Sequence, residues 1–123
     1  MNEYGVARDI ILDGVQHGYE ALDLGVAFYN GEDRPRDYQL ARHYLELAAD
    51  YHSAKACFFL HVMAKMGQGY PAPDLEEALR WLELSWHYGG RDAEVETMIR
   101  SLKEQIENQK NKPVFNVKTR RNI

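Results

Sequence analysis

Cys57 and His61 are the two side chains whose types and spacing could support chemistry in this 123-residue chain. Residues four apart share one face of a helix, so a thiolate and an imidazole would meet there and could bind zinc. A zinc site needs four ligands in tetrahedral geometry, and spacing places only these two. The further candidates are His43, Asp50 and His52. The alternative is a buried Cys57 and a partly exposed His61, with no metal and no cofactor.

No motif for catalysis accompanies these residues. The segment Gly67-Gln68-Gly69 lacks the lysine of a phosphate-binding loop and is better explained as a helix terminator. A Gly-x-Ser-x-Gly nucleophile elbow is absent from the sequence. Acidic pairs such as Glu76-Glu77 fall at predicted helix starts, where carboxylates stabilise the helix dipole. We therefore predict that the protein is not an enzyme. A metal-binding or catalytic protein that uses Cys57 and His61 is the alternative.

The distribution of charge argues against nucleic acid as a partner. All 19 acidic residues precede position 109 and share that part of the chain with ten basic ones, whereas residues 110–123 carry a net charge of +5. An acidic body repels a phosphate backbone. No apolar run is long enough to span a membrane, and the N-terminus lacks the features of a secretory signal. The single cysteine excludes an internal disulfide and fits a reducing compartment, so we expect a cytoplasmic protein.

Two segments of the chain repeat each other at an offset of 36 or 37 residues. The matched positions are Leu24 with Leu60, Gly31 with Gly67, Asp37 with Asp74, Ala41 with Ala78, and Tyr44-Leu45-Glu46-Leu47 with Trp81-Leu82-Glu83-Leu84. Periods of this length are typical of arrays of helix pairs. A single pair cannot bury both of its faces, so such pairs stack and share a core.

Apolar spacing and capping residues divide the chain into six predicted helices. The opening and final helices cover 3–15 and 92–109. In the first unit, one helix passes through Ala21, Leu24 and Phe28 and ends at Gly31, and Asp37 caps the next helix. In the second unit, the helix over 53–66 is followed by a helix that Asp74 caps, with Glu77 in the capping-box position, and that ends at Gly89-Gly90. Pro113 must lie beyond the last helix, because proline disrupts a helix interior. We therefore expect one helical domain over 1–109 and a basic, flexible tail over 110–123.

The repeated positions follow a known pattern. The first unit supplies Leu24-Gly25, Gly31, Asp37, Ala41, Tyr44 and Ala48-Ala49, and the second supplies Leu60, Gly67-Gln68-Gly69, Asp74, Ala78, Trp81 and Gly89. Over about residues 18 to 93 the chain thus resembles the Sel1-like repeat family, which is widespread in bacteria. It departs from the pattern at His61 and Asp33, which replace the glycines of the other unit, and at His52, where the family usually has glycine.

The resemblance implies an all-α fold, a short right-handed α-solenoid of antiparallel helix pairs with two full Sel1-like repeats plus flanking helices. It also implies a non-catalytic adaptor or scaffold for protein–protein interaction, in which the first helix of each pair lines the concave face. Bacterial members serve in signalling, envelope processes and toxin neutralisation. An immunity protein that neutralises a cognate toxin is therefore a narrower alternative. The identity of the protein partner and the oligomeric state stay open.

The concave face is the predicted binding surface. Counting from Leu24 and Leu60, the partner-binding side chains of the first helices are Tyr19, Leu22, Val26, Tyr29, Lys55, Phe58, Val62 and Lys65. Their equivalents in the last helix are Val95, Ile99 and Leu102. An apolar strip with aromatic edges is typical of a groove that binds a peptide segment. The alternative is that the terminal helices fold over this strip and bury it as core.

Overall fold

Five α-helices follow one another in the computed structural model, which describes residues 14–111. They are α1 Gly14–Asn30, α2 Tyr38–Asp50, α3 Ala54–Met66, α4 Leu75–His87 and α5 Ala93–Lys110. This part of the chain contains no strand, so the predicted all-α fold is confirmed. Over the same residues, no helix is sufficiently long and apolar to cross a membrane.

Four of the helices begin at a residue whose side chain accepts a hydrogen bond from a free backbone N–H group. The N-caps of α2 to α5 are Asp37, Ser53, Asp74 and Asp92. The Asp74 carboxylate accepts from the Glu77 N–H at 3.0 Å, but the Glu77 carboxylate pairs with Arg80. The Asp74 N–H instead donates to the Ala64 carbonyl at 2.8 Å. The predicted capping box is therefore only half formed, because the preceding turn already uses the donor that Glu77 would need.

Glycines in the left-handed region end two helices where the sequence predicts it. Gly31 has φ of 75° after α1, and Gly67 has φ of 77° as the C-cap of α3. Helix α4 also ends where predicted, since Tyr88 is its C-cap and Gly89, with φ of 121°, follows directly. The predicted helix end at Val15 is wrong, since α1 continues through that residue. The rest of the predicted opening helix and residues 112–123 of the tail lie outside the described residues.

The helices form two pairs, α1 with α2 and α3 with α4, and α5 packs on the second pair. Short connections between consecutive helices make neighbours antiparallel. Small side chains let the helices approach closely, and the fully buried alanines are Ala41, Ala48, Ala56, Ala64 and Ala78. Larger residues fill the layer between them, with Leu45, Leu60, Met63 and Leu82 shielded from solvent. The core is thus shared between the pairs, as in a short α-solenoid.

Trp81 joins this core to the long turn before α4. Its side chain is only 9% exposed, and the indole Nε1–H donates to the Tyr70 hydroxyl at 3.1 Å. The Arg42 guanidinium lies 3.8 Å from the centroid of the Tyr70 ring and donates to the Gly69 carbonyl at 3.1 Å. The turn is therefore held over Trp81 by polar contacts as well as by packing.

Candidate partner-binding groove

Cys57 and His61 lie on α3, but the other parts of a metal site do not surround them. His61 is only 5% exposed, so the expectation of a partly exposed histidine is wrong. Between residues 14 and 111, no group of three or more His, Cys, Asp or Glu side chains could hold a metal ion. Burial raises the pKa of the Cys57 thiol to about 11. The thiolate needed for metal binding or nucleophilic attack is therefore scarce near neutral pH.

An open cavity of about 700 Å³ separates α3 from α5. Phe58, Val62 and Lys65 form much of its α3 wall, and Met98 and Leu102 belong to its α5 wall. The cavity exists because α5 packs on α4 rather than closely along α3. Apolar side chains of two helices therefore meet solvent in a concave surface, which is the usual form of a binding site.

A second cavity of about 560 Å³ continues this surface toward α1. It shares Phe58, Val62 and Glu94 with the first cavity and adds Tyr29 and Lys55. We call the two cavities together the α3/α5 groove. Its lining is mostly apolar but includes four exposed charged side chains, Lys55, Lys65, Asp92 and Glu94.

The structure brings together five of the eight predicted partner-binding residues. Tyr29, Lys55, Phe58, Val62 and Lys65 all line the α3/α5 groove. The other three residues lie on α1 and line neither cavity of the groove. Tyr19 is 64% exposed, whereas Leu22 and Val26 are partly buried against the core. A binding role for any of the eight stays a prediction.

Of the three positions predicted on the last helix, two line the groove and one does not. Val95 and Leu102 line it but are 5% and 2% exposed, so they form its floor. Ile99 instead lines a separate cavity on the α4 side, with Glu83 and Trp86. The sequence prediction missed Met98, although its spacing of four residues from Leu102 is a signal for a shared helix face.

Terminal helices do not bury the whole predicted strip within the described residues. Phe58 and Val62 keep an intermediate exposure beside α5, and Lys55 and Lys65 are exposed. Tyr29 is held more firmly, since its hydroxyl donates to the Gln68 side chain at 2.8 Å and its ring packs on Tyr38 and Phe59. Of the three aromatic or aliphatic side chains that were predicted to bind a partner and that line the groove, Phe58 and Val62 are therefore less restrained than Tyr29.

Two buried polar side chains line the groove, Ser85, whose hydroxyl donates to the Ala54 carbonyl, and His61. The Nδ1 of His61 lies 2.6 Å from the Phe58 carbonyl oxygen, so this nitrogen carries a proton and donates. The Phe58 ring meets the imidazole edge-on, with 4.7 Å between centroids. Burial lowers the pKa of His61, and the positive charge of Lys65 lowers it further, although the backbone hydrogen bond opposes both effects. His61 is therefore neutral at pH 7.

Comparison with known proteins agrees with this architecture. The family model described as the Sel1 repeat matches residues 21–50 and 54–85, which correspond to the two helix pairs. Neither a curated protein nor a solved structure matches the chain. Sel1 repeats are generally protein–protein interaction modules, and the family is typically non-catalytic. Two matched units that together cover half of the chain confirm the resemblance noted in the sequence, and the chain belongs to the Sel1 repeat family.

Proposed function

We propose that this protein is a non-catalytic adaptor that holds a segment of a protein partner in the α3/α5 groove. The observation that carries the proposal is the groove itself, in which Phe58 and Val62 stay partly exposed beside α5. Large apolar concavities on soluble proteins commonly mark sites where other molecules bind. The interaction role of Sel1 repeats supports the same conclusion.

The dimensions of the groove fit a short segment of polypeptide. Its α5 wall extends from Ala93 to Gln105, which is about 18 Å at 1.5 Å per helical residue. An extended segment of about five or six residues, or about three turns of an amphipathic helix, would cover that length. The charged side chains of the lining, such as Lys55, Lys65 and Glu94, would orient such a segment through its own polar residues.

Peptide selection with groove variants tests this function. Peptides selected on the full chain from a displayed random library should bind through the groove. Phe58→Ala should weaken them by about tenfold or more, which is typical for an aromatic residue at the centre of an interface. Leu47→Ala is the control, because Leu47 is an exposed apolar residue on α2, 41% accessible, and lines neither cavity. Binding would be measured by fluorescence polarisation, with circular dichroism melts to show that both variants fold.

Equal affinities for the Phe58 and Leu47 variants would contradict the groove as the binding site. Tyr29→Ala is a poorer probe, because Tyr29 also contacts Gln68, Tyr38 and Phe59 and its loss should destabilise the fold. Tyr29→Phe keeps the ring and is the better variant. The narrower immunity role and the cytoplasmic location remain predictions, and a toxin gene beside the gene for this chain would support the former.

A further inference from the structure

His61 carries a hydrogen-bond acceptor that nothing in the described chain uses. The ring is 5% exposed and lines the α3/α5 groove, and its Nδ1–H is occupied by the Phe58 carbonyl. In neutral imidazole the other nitrogen, Nε2, is then an unprotonated acceptor. No hydrogen bond to Nε2 is formed by any residue from 14 to 111. A buried acceptor without a protein partner is costly, so a donor that enters the groove would be held at this atom in place of water.

The surrounding charges restrict what could donate to Nε2. Glu94 lines the same cavity, but the charge that acts on His61 is that of Lys65, which stands one helical turn away, so an ammonium or guanidinium group at Nε2 would be repelled by Lys65. An ionised carboxylate has no hydrogen to donate and would require a protonated His61, which burial opposes. The site therefore favours a donor without charge.

The walls around His61 favour an aromatic group. The Phe58 ring already packs edge-on against the imidazole. Met66 is 61% exposed and lines the same cavity as Met98, and thioethers pack well against aromatic rings. The exposed Lys65 ammonium could lie over the face of such a ring. Flat, apolar and polarizable walls of this kind suit a ring better than a small polar group.

We propose that the groove binds a tryptophan or tyrosine side chain of the partner, and that its indole N–H or phenol O–H donates to His61 Nε2. This inference rests on the proposed function, because it names the anchor residue of the segment that the groove holds. His61 thereby sets specificity. A phenylalanine at the same place would leave the buried acceptor unpaired and would bind more weakly.

A matched pair of small probes tests the hydrogen bond directly. Indole and 1-methylindole differ by one methyl group, which removes the N–H donor. Titrated into the ¹⁵N-labelled full chain, both should shift the Met66 and Met98 methyl resonances, because both fill the cavity. Only indole should move the Nε2 nitrogen resonance of His61 upfield. Indole should bind about three- to tenfold more tightly, the usual effect of one neutral hydrogen bond.

Variants of two groove side chains supply the controls. His61→Leu removes the acceptor and should make the affinities of indole and 1-methylindole equal. Ser101→Ala removes a hydroxyl from the α5 wall of the same cavity and should leave the preference for indole unchanged. If His61→Leu does not fold, the comparison of the two probes on the wild-type chain still decides the question.

Each remaining outcome contradicts the inference in a different way. Equal binding of the two probes to the wild-type chain would overturn the role of His61. The groove would still be the partner site if Phe58→Ala weakened the selected peptides. Binding of the probes only to residues 1–109 would show that the chain's own tail fills the groove. Binding of the probes only after dilution of the protein would show that a second copy of the chain fills the groove. Absence of binding under every condition would overturn the aromatic anchor.

Discussion

Replacement of Trp81 by alanine should remove a large part of the stability of this fold. The side chain is 9% exposed on α4, and its loss leaves a cavity among the core residues of the second helix pair. A buried tryptophan side chain removes about 150–250 Å² from water, worth about 4–6 kcal/mol at about 25 cal/mol per Å². That value is an upper limit, because the unfolded chain is partly compact. We therefore expect a loss of about 4 kcal/mol, within the range for core Trp→Ala changes.

Two further variants separate the causes of this loss. Trp81→Phe keeps most of the packing but removes the Nε1–H donor to Tyr70, so about 1 kcal/mol of destabilisation is expected from the lost hydrogen bond, in addition to a smaller packing loss. Leu47→Ala, at an exposed position on α2, should cost much less than Trp81→Ala. The free energy of unfolding would be measured by urea denaturation at pH 7, followed by circular dichroism at 222 nm.

The outcome for Trp81→Ala decides whether the register of α4 is right. A loss below about 1 kcal/mol would mean that Trp81 is solvent-exposed and that the α4 stripe is misplaced. Equal losses in the alanine and phenylalanine variants would mean that packing contributes little and that the contact with Tyr70 dominates. Either result would refute the explanation of the core given above.

Three further expectations concern helix packing, pH and the tail. Gly25→Ala should lower the free energy of unfolding by about 1–3 kcal/mol, because the new Cβ would lie 2.6 Å from Leu45 Cγ. A higher urea midpoint for this variant would contradict the close crossing of α1 and α2. Because the pKa of His61 is lowered in the folded state, this side chain takes up a proton in the unfolded chain before it does so in the folded one as the pH falls. The free energy of unfolding should therefore decrease below pH 6.5 by up to about 1.4 kcal/mol per pH unit. Urea titrations from pH 7 to 5 should show this slope, and His61→Leu should reduce it. Deletion of residues 110–123 should strengthen binding of the selected peptides if the basic tail competes for the groove; unchanged affinity, melting temperature and oligomeric state would mean that the tail is only a solvated end.

Several features of the fold follow from the sequence because their causes are local. Asp37 and Asp74 cap helices since a short carboxylate satisfies free N–H groups within the same turn. Gly31 and Gly67 end helices since they adopt positive φ at little cost. The repeat itself predicts helix pairs and their small contact residues, such as Ala41 and Ala78, without any knowledge of the partner helix. These are properties of short stretches of chain, and the structure confirms them.

Other features were decided only by the tertiary structure. The face that α5 turns to the groove depends on how it packs on α4, and this rotation selects Met98 and places Ile99 elsewhere. Tyr70 reaches Trp81 because the long turn folds back over the helix, a contact across eleven positions that no periodicity encodes. Burial of His61 likewise depends on neighbours from other parts of the chain. A helical pattern defines which residues share a face, but only the packing of several helices determines whether that face meets core, groove or solvent.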